Sequence, residues 1–241
     1  MVSIIIPAKN EASVLGETIM NLRTAAVEVP LEIIVSDDGS TDGTSRIAGN
    51  LADRVVTKQA DDSGHTIAAA RNRGAAAAWG DLLLFIDADV TVPEPMHLIG
   101  TFIQAFERDE RLLAATAFLK VLPEHATFAD GFFSGFVNWF FLTLNLLGLG
   151  AGVGEVQAIR TNAFREAGGY NPDLAAGEDF DLFRRLSRKG RTRTIRSLTV
   201  YHTGRRVHAV GWPRLLSQWF VNAVSVVLFK HSASKVWKEV R

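Results

Sequence analysis

Four short strand-like runs in the first 90 residues, each separated from the next by a stretch of helical character, limit the fold of this 241-residue chain more than any other feature. They are Val2 to Pro7, Leu31 to Val35, Arg54 to Thr57 and Leu82 to Ile86. Most are near-continuously apolar rather than alternating, the pattern of strands covered on both faces. Between them, Val14, Leu15, Ile19 and Leu22 recur at helical spacing, Ser45 to Leu51 reads as a second helix, and Thr66 to Trp79 is an alanine-rich helix carrying Arg71 and Arg73 and ended by Gly80. A β-α-β-α-β-α-β order at this spacing calls for an α/β fold with a mainly parallel, doubly wound sheet and right-handed crossovers. Pro7 is expected to stop the first strand because proline cannot donate to the ladder. Asn10 is expected to cap the first helix, and the turn-rich loop Ser36 to Thr44 the second. Pro93 opens a further helix to about Phe106, and Leu112 to Leu119 reads as another strand.

The strongest chemical signal lies where the fourth run ends, in Asp87-Ala88-Asp89. If the strand continues, a spacing of two puts both carboxylates on one face. Ligands of open α/β sheets bind beyond the carboxyl ends of strands, and two acidic oxygens there suit a hard divalent cation shared with a substrate's phosphates. A plain acidic turn after a core strand is the alternative. Two more acidic pairs stand at ends of expected elements: Asp37-Asp38 after the second run, and Glu178-Asp179 in Gly177-Glu178-Asp179-Phe180-Asp181-Leu182, ahead of a helix to about Lys189. Glu178 and Asp179 also fit as first-turn acids favoured by the helix dipole, worth roughly 0.3–1 kcal/mol. Three acidic clusters on one sheet edge are electrostatically costly unless a cation or hydrogen-bond donors offset them.

The chain has no cysteine, which excludes disulfides and thiolate metal sites and agrees with a reducing compartment. Met1 to Pro7 has neither a basic flank nor a long apolar stretch, so no cleaved signal peptide is expected and the cytoplasm is the expected location. The net charge of zero argues against nucleic acid as a partner, but it hides an asymmetry. Residues 1–126 carry 10 Lys/Arg and 18 Asp/Glu, and residues 127–241 carry 16 and 8, so the second half suits an anionic partner. Arg184 to Arg206 contains nine Lys/Arg and no acid, and Arg205 or Arg206 is the expected phosphate contact.

Gly131 to Gly154 runs 24 residues without a charge. That is long enough to span a bilayer, yet Ser134, Asn138, Thr143, Asn145 and several glycines favour a helix buried near the site or lying at an interface. Leu215 to Phe229 is shorter and reads as an amphipathic or interface-lying helix, with a helix docked on the core as the alternative; Lys230, Lys235, Lys238 and Arg241 after it suit an anionic membrane surface. The expected division is a domain over residues 1–205, with a nucleotide-binding half 1–126 and an acceptor half 127–205, followed by a membrane-associating segment over 206–241.

Taken in order, Ser3 to Glu11, Asp37 to Thr44, Ala70-Arg71-Asn72-Arg73-Gly74, Asp87-Ala88-Asp89, Gly168-Gly169-Tyr170 and Gly177 to Leu182 closely resemble glycosyltransferase family 2, a family with the GT-A fold. The resemblance covers residues 2 to about 205. It implies an inverting transfer of one sugar from a nucleotide-diphosphate sugar, most commonly a UDP-sugar, to an acceptor hydroxyl or a lipid phosphate, at the cytoplasmic face of a membrane where the acceptor is lipid-linked. It implies that Pro7, Ala8 and Glu11 meet the nucleoside, that Asp38 binds the base and that Arg71 lies near the base or diphosphate. Asp87 and Asp89 take the place of the family's DxD motif for Mn²⁺ or Mg²⁺, with Asp89 a direct ligand. Asp179 takes the place of the catalytic base, Glu178 beside it raises its pKa, and His202 resembles a late metal-ligating histidine. No role is assigned to His65, His97, His125, His208 or His231. The Gln-x-x-Arg-Trp motif of polymer-forming members is missing, since Gln218-Trp219 lacks the arginine and the spacing. Two other readings remain: a sugar nucleotidyltransferase, whose glycine-rich first loop is not matched by Pro7-Ala8-Lys9-Asn10, and a non-catalytic sugar-nucleotide or membrane-binding module.

Overall fold

The structure, a computed structural model, describes residues 1–59 and 66–234. His65, Lys235, Lys238 and Arg241 lie outside the described residues. Strands β1 (Val2–Ala8), β2 (Leu31–Asp37), β3 (Arg54–Thr57), β4 (Leu82–Ile86), β5 (Val90–Thr91), β6 (Leu112–Val121), β7 (Val156–Arg160) and β8 (Arg191–His202) form one sheet in the order β3-β2-β1-β4-β7-β6-β8-β5. The helices are α1 (Leu15–Arg23), α2 (Thr44–Leu51), α3 (Ile67–Ala76), α4 (Pro95–Arg108), α5 (Phe128–Leu146), α6 (Thr161–Glu166), α7 (Glu178–Ser187), α8 (Arg205–Val210) and α9 (Trp212–Phe229).

The first four strands are parallel to one another, as their crossover helices require. Alternation along β1 sends Ile4 and Ile6 to one face and Ile5 to the other. Ile4 and Ile6 join Ile33, Val35, Leu84 and Ile86 under Leu15 and Ile19 of α1 and Leu98 and Phe102 of α4. Ile5 joins Ile34, Leu83 and Phe85 under α3, Phe164 of α6 and Leu182 and Phe183 of α7. Each of these large side chains contributes about 1.5–3 kcal/mol by leaving water. The close fit extends to Gly74 of α3, where an added Cβ would stand 2.5 Å from Ile5 Cγ2.

Three expectations need correction. Pro7 does not stop β1, which runs on to Ala8 and pairs Pro7 with Ser36. Pairing with β4 ends at Ile5–Phe85, so beyond that point β1 has a neighbour on one side only and the missing N–H costs no ladder bond. Asn10 does not cap α1, whose start has no side-chain cap; it adopts a left-handed conformation (φ 54°), and its Oδ1 accepts from Thr41 N at 2.7 Å. Finally, β4 ends at Ile86, so Asp87 to Asp89 is a turn leading into β5, and the two carboxylates part rather than share a strand face. The sheet is mainly parallel, as expected, with β7 antiparallel between β4 and β6.

Helix α5 begins in a capping box between Thr127 and Asp130. Asp130 also accepts from Trp212 Nε1 at 2.6 Å and pairs with His208 Nε2 at 2.9 Å, which ties the start of α5 to α8 and α9. These hydrogen bonds hold its carboxyl well below the usual carboxylate range. No helix among the described residues is long and apolar enough to cross a membrane.

Candidate active site

The carboxyl ends of β1, β2 and β4 lie side by side, and the loops leaving them meet the start of α7 and the segment entering β7. Arg71 is the hub. It is fully buried, and its guanidinium donates to Asp87 Oδ1, Glu178 Oε1 and the Gly154 carbonyl, each at 2.8 Å. The ring of Tyr170 lies beneath it at 5.4 Å. Arg71 therefore binds the acidic turns to each other. The rest of Ala70–Gly74 is used residue by residue. Asn72 exchanges two hydrogen bonds with the Tyr170 backbone, and Arg73 Nη2 donates to Asp38 Oδ1 at 3.1 Å. Gly168-Gly169-Tyr170 is the matching brace: Gly169 has φ 69°, a Cβ there would stand 2.6 Å from Asn72 Oδ1, and the Tyr170 hydroxyl donates to Gln157 at 2.6 Å.

A second arginine closes the other side. Arg205, at the start of α8, donates to Asp89 Oδ2 at 2.9 Å and to both carboxylate oxygens of Glu11 at 3.2 Å, while its buried Nε–H has no partner. Thr203 Oγ1 also donates to Asp89 Oδ2, at 3.1 Å. His202 pairs with Val90 across β5 and β8, and its Nδ1 accepts from Gly204 N at 3.2 Å. Burial lowers its pKa, against the opposing pull of Asp89, so neutral imidazole is favoured.

Pro7 and Ala8 are buried at the end of β1, where the Ala8 carbonyl accepts from Asp38 N at 2.9 Å. Asp38 is buried and paired with Arg73 and, at 3.7 Å, with Lys9. Its neighbour Asp37 accepts from Ser40 and Ser45 and holds the loop.

Asp179 is half-buried at the first turn of α7, and its Oδ1 accepts from Phe180 N at 2.7 Å. Burial, then the negative charge of Glu178, raise its pKa to about 7, with Arg71 opposing. Glu178 itself is turned inward onto Arg71. Sequence reasoning missed Glu155. It precedes β7, and antiparallel pairing of Val156 with Ile86 brings its backbone to Asp87, whose N–H donates to the Glu155 carbonyl at 3.2 Å. Burial, followed by Asp87, Asp179 and Asp89, raises its pKa to about 8. Glu11 is raised too, chiefly by burial. Six carboxyl groups, Glu11, Asp87, Asp89, Glu155, Glu178 and Asp179, thus share one region with Arg71, Arg205 and the nearby Arg206.

Among the described residues no three acidic or histidine side chains are arranged to hold a metal ion by themselves, so Asp87, Asp89 and His202 do not form a preassembled chelate. The donor set still fits a magnesium-like ion. Such ions usually take one or two carboxylates and complete their shell with water and substrate phosphates. The surplus of acid over arginine supplies the charge that a divalent ion would offset.

Residues 3–143 match the family profile described as glycosyl transferase family 2. The chain is 40% identical over 94 residues to validoxylamine A glucosyltransferase of Streptomyces hygroscopicus subsp. jinggangensis (strain 5008), a match covering 37% of this chain and 22% of that protein. It is 30% identical over 194 residues to the succinoglycan biosynthesis protein ExoA of Rhizobium meliloti (strain 1021), covering 78% of this chain and 58% of ExoA. The chain thus spans well under two thirds of the length of these curated relatives. The mannosyltransferase PcManGT of Pyrobaculum calidifontis, solved with GDP-Man and Mn²⁺, superposes with a TM-score of 0.74 at 21% identity, covering 94% of this chain and 64% of that one. Glucosyl-3-phosphoglycerate synthase of Mycobacterium tuberculosis, solved with Mn²⁺, UDP and glucosyl-3-phosphoglycerate, gives 0.64 at 21% identity, covering 95% and 78%. At this identity the likeness concerns the fold, which is GT-A.

Proposed function

This chain belongs to glycosyl transferase family 2, and from that premise we propose that it is an inverting, divalent-metal-dependent transferase that moves one sugar from a nucleotide-diphosphate donor, of the UDP class, to an acceptor hydroxyl or lipid phosphate. The observation that carries the reading is the crowd of six carboxyl groups around Arg71 and Arg205 at the ends of β1 and β4. A buried surplus of acid is costly to maintain without a cationic or hydrogen-bonding ligand.

In this reading the nucleoside lies over Pro7, Ala8 and Asp38, and Glu11 orders the first loop through Arg205. Asp89 would hold Mn²⁺ or Mg²⁺ together with the donor diphosphate, and Asp87 and His202 are the further residues that would contribute. When bound, the ion offsets the charge that develops on the departing diphosphate. The unpartnered Nε–H of Arg205 suits a phosphate oxygen. With a hydroxyl acceptor, Asp179 accepts the hydroxyl proton while the acceptor oxygen bonds to the anomeric carbon and the bond from that carbon to the diphosphate breaks; a lipid phosphate attacks already ionised and needs no base. One attack on one face gives inversion. A base with a pKa near 7 is matched to neutral pH and contributes about 10²–10⁴-fold in rate. Glu178 acts through position and charge: it anchors the first turn of α7 on Arg71 and keeps the pKa of Asp179 up.

A nucleotide-sugar panel with Mn²⁺ and a mixed acceptor pool tests the reading. Release of nucleoside diphosphate that needs the ion and is lost in Asp89→Ala is the expected result. Full activity in excess EDTA contradicts it. Pyrophosphate release from a nucleoside triphosphate points instead to a nucleotidyltransferase, and donor binding without turnover points to a binding module.

A further inference from the structure

Helix α5 and the second half of α9 are built inside out. On α5 the residues facing the protein are Asp130, Ser134, Asn138, Leu142 and Asn145, while Phe128, Phe132, Phe136, Trp139 and Phe140 face outward, between 49 and 93% exposed. Ser134 and Phe132 differ by two positions, about 200° around the helix axis, so the polar and aromatic stripes lie on opposite sides. The inward polar groups are satisfied. Asn138 exchanges two hydrogen bonds with the backbone of Leu119, and Asn145 bonds to Ala151 and to Thr192 and Thr194 of β8. Helix α9 repeats the arrangement in its second half, where Asn222 and Ser225 lie inward beside Val226 and Phe220, Val221, Val224 and Phe229 lie outward; its first half keeps Leu215 inward and Arg214, Ser217 and Gln218 exposed. The two helices are packed together through Phe133, Val137, Trp212 and Leu216. A surface helix of a water-soluble domain has the reverse polarity, and a contiguous outward aromatic stripe of this kind marks an interaction surface.

Charge identifies the occupant. An open groove runs along the flank of α5 between α4 and β8, lined by Arg108, Arg191, Arg193 and Arg196 together with Phe118 and Trp139. The guanidinium of Arg196 sits over the Trp139 ring at 5.9 Å, at the seam between the aromatic stripe and the basic strip. The acid partner there is Asp109, which pairs with Arg191 and Arg193. No charged residue falls between Gly131 and Gly154. A second copy docked face to face about a two-fold axis would bring one arginine strip against its twin. Lipid phosphates complement that strip, and the acyl boundary accepts the aromatic stripe, with Trp139 at the height where amphipathic rings settle.

We propose that the outward face of α5, flanked by Arg193 and Arg196 and extended by α9, is a docking surface for an anionic lipid bilayer, on which the domain rests without crossing it. The same unit carries the donor site's Arg205, because α8 leads directly into α9 and Asp130 of α5 bonds to both.

Flotation of the purified chain with phosphatidylcholine vesicles, with and without phosphatidylglycerol, tests this without donor, metal or acceptor, so its outcome is independent of the catalytic assignment. Binding that requires phosphatidylglycerol and weakens in high salt is expected. Joint replacement Phe132→Ser, Phe136→Ser and Phe140→Ser abolishes it, and Arg193→Glu with Arg196→Glu lowers partition by about tenfold or more. Circular dichroism confirms that these exposed changes leave the fold intact. Absence of vesicle binding by the unaltered chain overturns the proposal. So does a concentration-dependent dimer that the phenylalanine variant dissolves while vesicles compete for nothing.

Discussion

Replacing Arg71 by methionine removes the cation from between Asp87 and Glu178 while roughly keeping the volume of its stem. Three hydrogen bonds at 2.8 Å are lost, two of them to carboxylates. Breaking one partner out of a buried ion pair costs about 3–5 kcal/mol, because a charge is left uncompensated. The protein has one escape, which is to protonate the orphaned acid. For Asp87, with an ordinary pKa of 3.8, neutralisation at pH 7 costs about 4 kcal/mol, which sets a ceiling close to the same value. The escape becomes easier as pH falls. Urea unfolding should therefore show Arg71→Met destabilised by about 3–5 kcal/mol at pH 8 and by clearly less at pH 5.5. In a chain of this length that is roughly 10 °C in Tm. Arg71→Lys, which keeps the charge but not the fork, should fall between. A loss under about 1 kcal/mol at pH 8, or a loss independent of pH, would refute the hub role argued for Arg71.

Asp179→Asn should lower kcat by about 10²–10⁴-fold while leaving donor affinity nearly unchanged, checked by steady-state kinetics and by donor titration. In the unaltered enzyme kcat/KM should rise with pH through about 7, since the base works ionised and its pKa is raised to that value; a profile flat from pH 5 to 8 would remove Asp179 from the role. Glu155 holds a proton in the folded state up to about pH 8, whereas the unfolded chain releases it near its ordinary value of 4.5. Rising pH through that window therefore disfavours the folded state, and Glu155→Gln should raise Tm at pH 8 and leave it unchanged near pH 4.5. Gly74→Ala should cost about 1–3 kcal/mol in thermal or urea unfolding, as the new methyl group meets Ile5.

The first 126 residues were largely legible in the sequence because the determinants of their elements are local. Leu82 to Ile86 and Arg54 to Thr57 are strands over those residues, and the alanine-rich stretch is a helix, capped by Thr66. What escaped was set by neighbours distant in sequence. Strand β7, Val156–Arg160, is interrupted by Gln157 and earns its place only by pairing with β4 and β6. Glu155 therefore was not singled out, although a strand entered from a glycine-rich stretch beside an acidic turn was a usable signal. The burial of Arg71 among acids was not legible, because charge patterning cannot tell a buried arginine from an exposed one. Pro7 read as a stop because a one-sided strand end is invisible before the sheet is assembled. The polar residues Ser134, Asn138 and Asn145, spaced four and seven apart, did carry the inverted polarity of α5 in plain view.

The central claim is that acids brought together from separate elements hold a divalent ion and a sugar-bearing diphosphate as a unit. Calorimetric titration of UDP-glucose into the protein with Mn²⁺ and with EDTA, repeated on Asp89→Ala, measures that directly. The account predicts binding that depends on Mn²⁺, an equal and reciprocal gain in Mn²⁺ affinity when the nucleotide is present, and loss of both in the variant. Binding of UDP-glucose and the other nucleotide sugars at the same affinity in EDTA and in Asp89→Ala would contradict it.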